Sequence, residues 1–198
     1  MKGLLLKDLY NIRKQAWWYL SMILLFCLLS VTVQNIAFAG TIGVLVTVSV
    51  PLIAIGYEEK DSWQKFVVAS GRDIKTIVAE KYLLGLICAV TGFVAYAVVY
   101  LLSERTSLTD LFVPLFMQIT VLSVMLPTVF KFGVDKGRVY MIAVILIFML
   151  AFIGLLSAAD KFVGTDLIVF NLITAVLIAG VLVISYFISL KIYTAKEF

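Results

Sequence analysis

The sequence predicts an all-α polytopic membrane protein: six transmembrane helices, both termini cytoplasmic, and short amphipathic helices at the water side. Three observations lead there. Of 198 residues, 63% are hydrophobic and 14% charged, whereas soluble domains carry about a quarter charged residues. The apolar residues fall in long uncharged runs, as helices must when hydrocarbon offers their backbone no partner. Finally, Lys and Arg are partitioned. Lys2, Lys7, Arg13, Lys14, Lys60, Lys65, Arg72, Lys75, Lys81, Lys131, Lys136, Arg138, Lys191 and Lys196 lie on the side of the N-terminus, and only Arg105 and Lys161 lie opposite. By the positive-inside rule the richer side is cytoplasmic.

Read in order, residues 1–15 form an interfacial helix, with Leu5, Leu9, Ile12 and Ala16 on one face. Ala16 to Val33 is uncharged and opens with Trp17, Trp18 and Tyr19, aromatic anchors for headgroup depth. A secretory signal is the rival reading, because Ala37-Phe38-Ala39 imitates a cleavage site; the length of the apolar run and of the basic stretch before it favours a span. Gln34 and Asn35 turn the chain into the second span, 36–57, where Pro51 predicts a kink. Spans follow at 83–102, with Gly85 and Gly92 as close-packing points, and at 111–130, 139–158 and 167–190. The connections Ser103–Asp110, Lys131–Arg138 and Ala159–Asp166 are short, and the whole of 1–198 reads as one domain.

The composition excludes much chemistry. The chain has no His, which removes the commonest general base and metal ligand. Cys27 and Cys88 sit inside apolar runs as small hydrophobes rather than a disulfide. Gly71 to Thr76 ends in Lys-Thr like a phosphate-binding loop, but Ile74 stands where the second glycine is required. No catalytic, cofactor-binding or metal residues are assigned. No predicted span holds an interior charge, which argues against a proton- or sodium-coupled carrier. The excess of basic residues is explained by orientation in the bilayer and not by nucleic acid.

The longest polar interval is the loop 58–81. On a helix, Trp63, Phe66 and Val67 share one stripe, and Glu58, Asp61 and Lys65 cluster on the other side. Such a helix can lie on the bilayer or fill a groove in a partner. Ser70-Gly71 reads as a hinge, with Ser70 as N-cap and Asp73 at the capping-box position of a helix feeding the third span.

Three local patterns carry a resemblance: KGLLLKDLYNIRKQ at the start, EEKDSWQKFVVASGR followed by IVAEKYLLG, and SLKIYTAKEF at the end. With these the chain resembles the small six-span permease subunits of the ATP-binding-cassette type-2 family, found mostly in Gram-positive bacteria. The resemblance implies an exporter half in the cell membrane, paired with an identical or sister permease and with separate ATPase subunits that bind the ATP. It also implies that the segment after the second span is a coupling helix, with Glu58, Glu59, Asp61, Trp63, Lys65 and Phe66 contacting the ATPase. Membrane lipid and a hydrophobic or amphipathic cargo such as a peptide are the remaining expected partners. The competing classes are an ATP-independent channel or carrier and a non-transporting scaffold or immunity protein.

Overall fold

A computed structural model describes the backbone of residues 2–61, 63, 66–67, 71, 73–103, 108–162 and 167–195, and within these the side chains of 3–13, 15–61, 63, 66–67, 71, 73–103, 111–143 and 174–195. The described residues are helical, without strands. The long helices are α1 (Lys2–Thr32), α2 (Ala37–Lys60), α3 (Ile74–Leu102), α4 (Leu108–Phe162) and α5 (Leu167–Thr194), and Trp63, Phe66 and Val67 are helical between α2 and α3. Among the described residues five stretches are long and apolar enough to cross a membrane: Gln15–Thr32, Ala37–Lys60, Ile74–Leu102, Leu111–Ala143 and Thr174–Thr194. The expected span 139–158 begins at the end of the fourth of these, and its side chains beyond 143 lie outside the described residues.

Three boundaries differ from expectation. No break separates an interfacial helix from the first span, because residues 4–32 contain neither Gly nor Pro and α1 continues through them. Its buried stripe is also rotated: Leu4, Asp8 and Ile12 are buried, whereas Leu9 is 51% exposed. The basic connection Lys131–Arg138 is helix on both sides of a single non-helical residue, Gly133, at φ 78° and ψ 174°. Only glycine adopts that backbone without strain. The chain reverses there. A Cβ on Gly137 would lie 3.1 Å from the Cα of Val129, and the rings of Phe132 and Tyr140 stack at 4.3 Å, whereas residues eight apart on one helix would be about 12 Å apart. At the far end α4 runs to Phe162, into the expected turn.

The prolines do not end helices. α2 remains helical through Pro51 and α4 through Pro114 and Pro127. The outer turn after α1 is as short as expected: Gln34 takes φ 55°, and the Asn35 side chain accepts from the Ala37 amide at 3.1 Å.

α2, α3 and α4 form the centre, and α1 flanks α2 and α3 while α5 packs on α4 and α3. Leu122, Leu126, Val78 and Ile55 fill the middle without exposure above 1%. The outward faces of α1 (Trp17, Trp18, Leu24, Leu28) and α5 (Val176, Leu177, Ile184) are apolar and exposed, as surfaces wetted by lipid must be. α2 and α3 cross in contact at the expected Gly92, where a Cβ would meet the Cα of Gly43 at 2.7 Å. Thr47 bridges here to α4, its hydroxyl lying 3.4 Å from the buried Gln118 Oε1.

Overpacking costs about 1–3 kcal/mol, so Gly92→Val is expected to lower Tm in detergent by roughly 3–10 °C. Gly180→Ala, which meets nothing within 4 Å, is the control and should leave Tm unchanged or slightly raised.

Candidate functional site

The polar centre of the molecule is a buried ion cluster at the roots of the 61–73 connection. It is assembled from three helices. α1 supplies Lys7 and Asp8, α2 supplies Glu58 from its last turn, and α3 supplies Glu80 and Lys81 from its second turn. Lys81, 0% exposed, is the hub. Its ammonium donates to Glu58 Oε1 at 2.8 Å and to Asp8 Oδ2, and lies 3.1 Å from Glu80 Oε2. Lys7 donates to Glu58 and sits 3.2 Å from Asp8 Oδ1. Its ammonium also stands 4.8 Å over the Trp63 ring, an attraction of cation and aromatic face.

The local sequence explains the convergence. Asp8 follows Leu4 and precedes Ile12 at intervals of one helical turn, so it is carried into the α1 interface with them. Ile77 and Lys81 share a face of α3 in the same way. Charges drawn out of water in this manner need partners, since an unpaired buried ion costs several kcal/mol. Burial works to raise the Asp8 carboxyl, but the Lys81 ammonium, through its charge and its hydrogen bond, together with the Lys7 charge outweighs it and leaves Asp8 below its usual value. Asp8, Glu58 and Glu80 each offer an oxygen within 4.8 Å of the others. A metal ion does not fit among them, because the Lys81 ammonium already takes the cation's place.

The residues expected at a partner contact divide between inside and outside. Glu58 is 4% exposed within the cluster. Glu59 accepts a hydrogen bond from the Val134 amide at 2.9 Å, so it caps the arm of α4 that starts after Gly133. Trp63 is half-buried, packed on the core and on Lys7, with Val67 buried beside it. Asp61 faces outward, and Phe66, 63% exposed, holds its ring 5.2 Å from that of Trp63 at a tilt of 35°. Lys65 lies outside the described residues. The single amphipathic stripe expected from 58 to 67 is not continuous: α2 ends at Lys60 and Asp61 takes φ −88° and ψ 5°, which resets the helical phase.

The start of α3 is also corrected. Asp73, not Ser70, is its N-cap, extended at φ −65° and ψ 127° and accepting from the Lys75 amide at 3.1 Å. Gly71 takes φ 77°, outside helical geometry, and α3 starts at Ile74, later than a cap at Ser70 would require; Ser70 lies outside the described residues. At the same end of the bundle the Tyr82 hydroxyl meets Ser189 Oγ at 2.8 Å and also Ser185, which donates to the Ser123 carbonyl, joining α3, α4 and α5.

The cluster itself was not predicted. Asp8 flanked by Leu4 and Ile12, and Glu80-Lys81 between Val78 and Leu84, were the signals that could have found it. Glu58, Glu80 and Lys81 fall within the helices that qualify as spans, so the expectation of charge-free spans holds only for their middles.

A family profile described as ABC-2 family transporter protein matches residues 3–194. The chain therefore belongs to the ABC-2 transporter family, and it is a membrane-embedded permease component of an ATP-binding-cassette transporter. No curated protein and no solved structure gives a significant match.

Removing one partner of a buried ion pair costs about 3–5 kcal/mol, so Lys81→Met is expected to destabilise the chain by that order in a denaturant titration. A carboxyl held below its ordinary value stabilises the fold above that value, and the contribution is lost as pH falls through it. Stability should therefore decline below roughly pH 4, and Asp8→Asn combined with Glu80→Gln should flatten that acid limb of Tm against pH.

Proposed function

We propose that this chain is the transmembrane subunit of an ATP-driven exporter. It forms the translocation pathway with a second permease, identical or a sister chain, and binds separate ATPase subunits on which ATP is hydrolysed. The observation that carries this reading is the family match over residues 3–194. The partition of basic residues supports a cytoplasmic position for both termini and the 61–73 connection. The short connections on the opposite side support export over capture of a delivered substrate. A hydrophobic or amphipathic cargo, such as a peptide, suits walls without mid-bilayer charge. We place the chain in a bacterial cell membrane of the Gram-positive type.

Docking falls to the outward residues. Asp61 and Phe66 are exposed on a segment whose other side is tied down by Trp63, Val67 and Glu58. An exposed aromatic beside a carboxylate, on a rigid base, can fill a groove in the ATPase and pair with its rim. Glu58, Glu59 and Trp63 serve the contact by holding the segment in place. Movement of the ATPases would then pass through the ion cluster into α1, α2 and α3, since those helices share it.

The test is copurification from membranes that contain the ATPase subunit. Asp61→Lys with Phe66→Ala should reduce the recovered ATPase at least tenfold, or uncouple ATP hydrolysis from transport, with membrane insertion and Tm unchanged. Wild-type recovery with coupled transport in that double variant would overturn the assignment. A wild-type chain that purifies alone and conducts ions would point to the channel class instead.

A further inference from the structure

The ion cluster is unbalanced as counted. Asp8, Glu58 and Glu80 would contribute three negative charges when ionised, against two positive charges from Lys7 and Lys81. All but Lys7 are nearly sealed from solvent, and among the described residues no further cation pairs with the cluster. One atom identifies where the imbalance sits. Glu80 is 1% exposed, and its Oε2 lies beside Lys81 while its Oε1 has no hydrogen-bond partner. An ionised carboxylate can only accept, and a buried acceptor left without a donor costs about 1–3 kcal/mol. Asp8 Oδ1 is likewise without a hydrogen bond, although it touches Lys7, and an Asp8 oxygen and a Glu80 oxygen lie within 4.8 Å of one another.

We propose that Asp8 and Glu80 together hold one proton, which makes the junction of α1, α2 and α3 a proton-binding site, closed with the proton bound and loosened when it leaves. The proton resides on Glu80, whose O–H donates to Asp8. A neutral Glu80 leaves Lys7 and Lys81 matched by Asp8 and Glu58, and it converts two unsatisfied oxygens into one hydrogen bond. Among the described residues the groups facing this pair are Lys7 from α1, Glu58 from α2 and Lys81 from α3, with Tyr193 of α5 within electrostatic reach of Glu58, Lys81, Glu59 and Glu80. Loss of the proton sets two carboxylates against each other in low dielectric, and the least embedded member, α1 with Asp8 and Lys7, is the one that moves away. The site frames both roots of the 61–73 connection, so proton loss frees the segment that presents Asp61 and Phe66. None of this depends on the ATPase reading.

The experiment is infrared spectroscopy of the full chain in lipid nanodiscs, titrated from neutral to alkaline pH. The wild type should show the C=O stretch of a protonated buried carboxyl at neutral pH, shifted in deuterium oxide and lost on alkalinisation. The band should be absent in Glu80→Gln. It should also be absent in Asp8→Asn, where Glu80 becomes the second counterion to the two lysines and ionises. Glu80→Gln retains a donor toward Asp8, so it should fold with wild-type Tm at neutral pH. A proton bound in the fold and released on unfolding makes stability fall as pH rises, so wild-type Tm should decline toward alkaline pH and the Gln variant should lose that decline. No protonated-carboxyl band in the wild type at neutral pH, a band that persists in Glu80→Gln, or an alkaline decline of equal size in both proteins would each overturn the proposal.

Discussion

The Lys81 ammonium, surrounded by Asp8, Glu58 and Glu80, is the contact on which the architecture of the charged end rests. Helices in lipid gain little from burying apolar side chains against one another, because the acyl chains around them are equally apolar. Polar contacts between helices are therefore among the few that specify one arrangement. Here a single cation sets three helices in register, and the close crossing of α2 and α3 at Gly43 and Gly92 completes the alignment from the other direction. With both constraints in place, Leu122, Leu126 and Val78 can fill the middle by ordinary packing.

Buried ion pairs are weak contributors to net stability compared with well-packed apolar substitutes, and their use here points to specificity. The cluster does not sit in mid-bilayer, where a charge is most costly, but at the ends of the helices. Trp63 covers it from the connection, its ring under the Lys7 ammonium of α1, and Glu59 extends the same polar layer to the start of the second arm of α4. Two acidic neighbours in the sequence, Glu58 and Glu59, thus hold different helices. The connection they introduce is anchored at both roots, with only Asp61 and Phe66 among its described side chains turned clearly outward along with Asp73.

Apolar run length and the distribution of Lys and Arg were enough to read most of the helices. The first span is expected at 16–33 and observed at Gln15–Thr32, and the second is expected at 36–57 and observed as Ala37–Lys60. Gly92 was legible as a contact because a small residue in an apolar helix has few other uses. The candidate site was not legible, for a physical reason. Asp8, Glu58 and Lys81 lie on three segments, and a charge next to a span end reads equally well as a group in water. Only their three-dimensional convergence separates the two readings. The break at Gly133 falls inside the expected connection 131–138, but its extent was overread, because Lys131, Asp135 and Lys136 imitate a loop although they occupy helical positions. The amphipathic stripe from 58 to 67 failed because periodicity assumes an unbroken helix, and Asp61 breaks it.

The separation between Asp8 and Lys81, 73 positions along the chain, has a consequence for biosynthesis. α1 is made before α2 and α3, yet Lys81, the fully buried partner of its carboxylate, is made only at the start of α3. Until then Asp8 has to remain at the water boundary, so α1 can insert but cannot take its final seat against α2 and α3. The first helix is thus the last of the three to be locked.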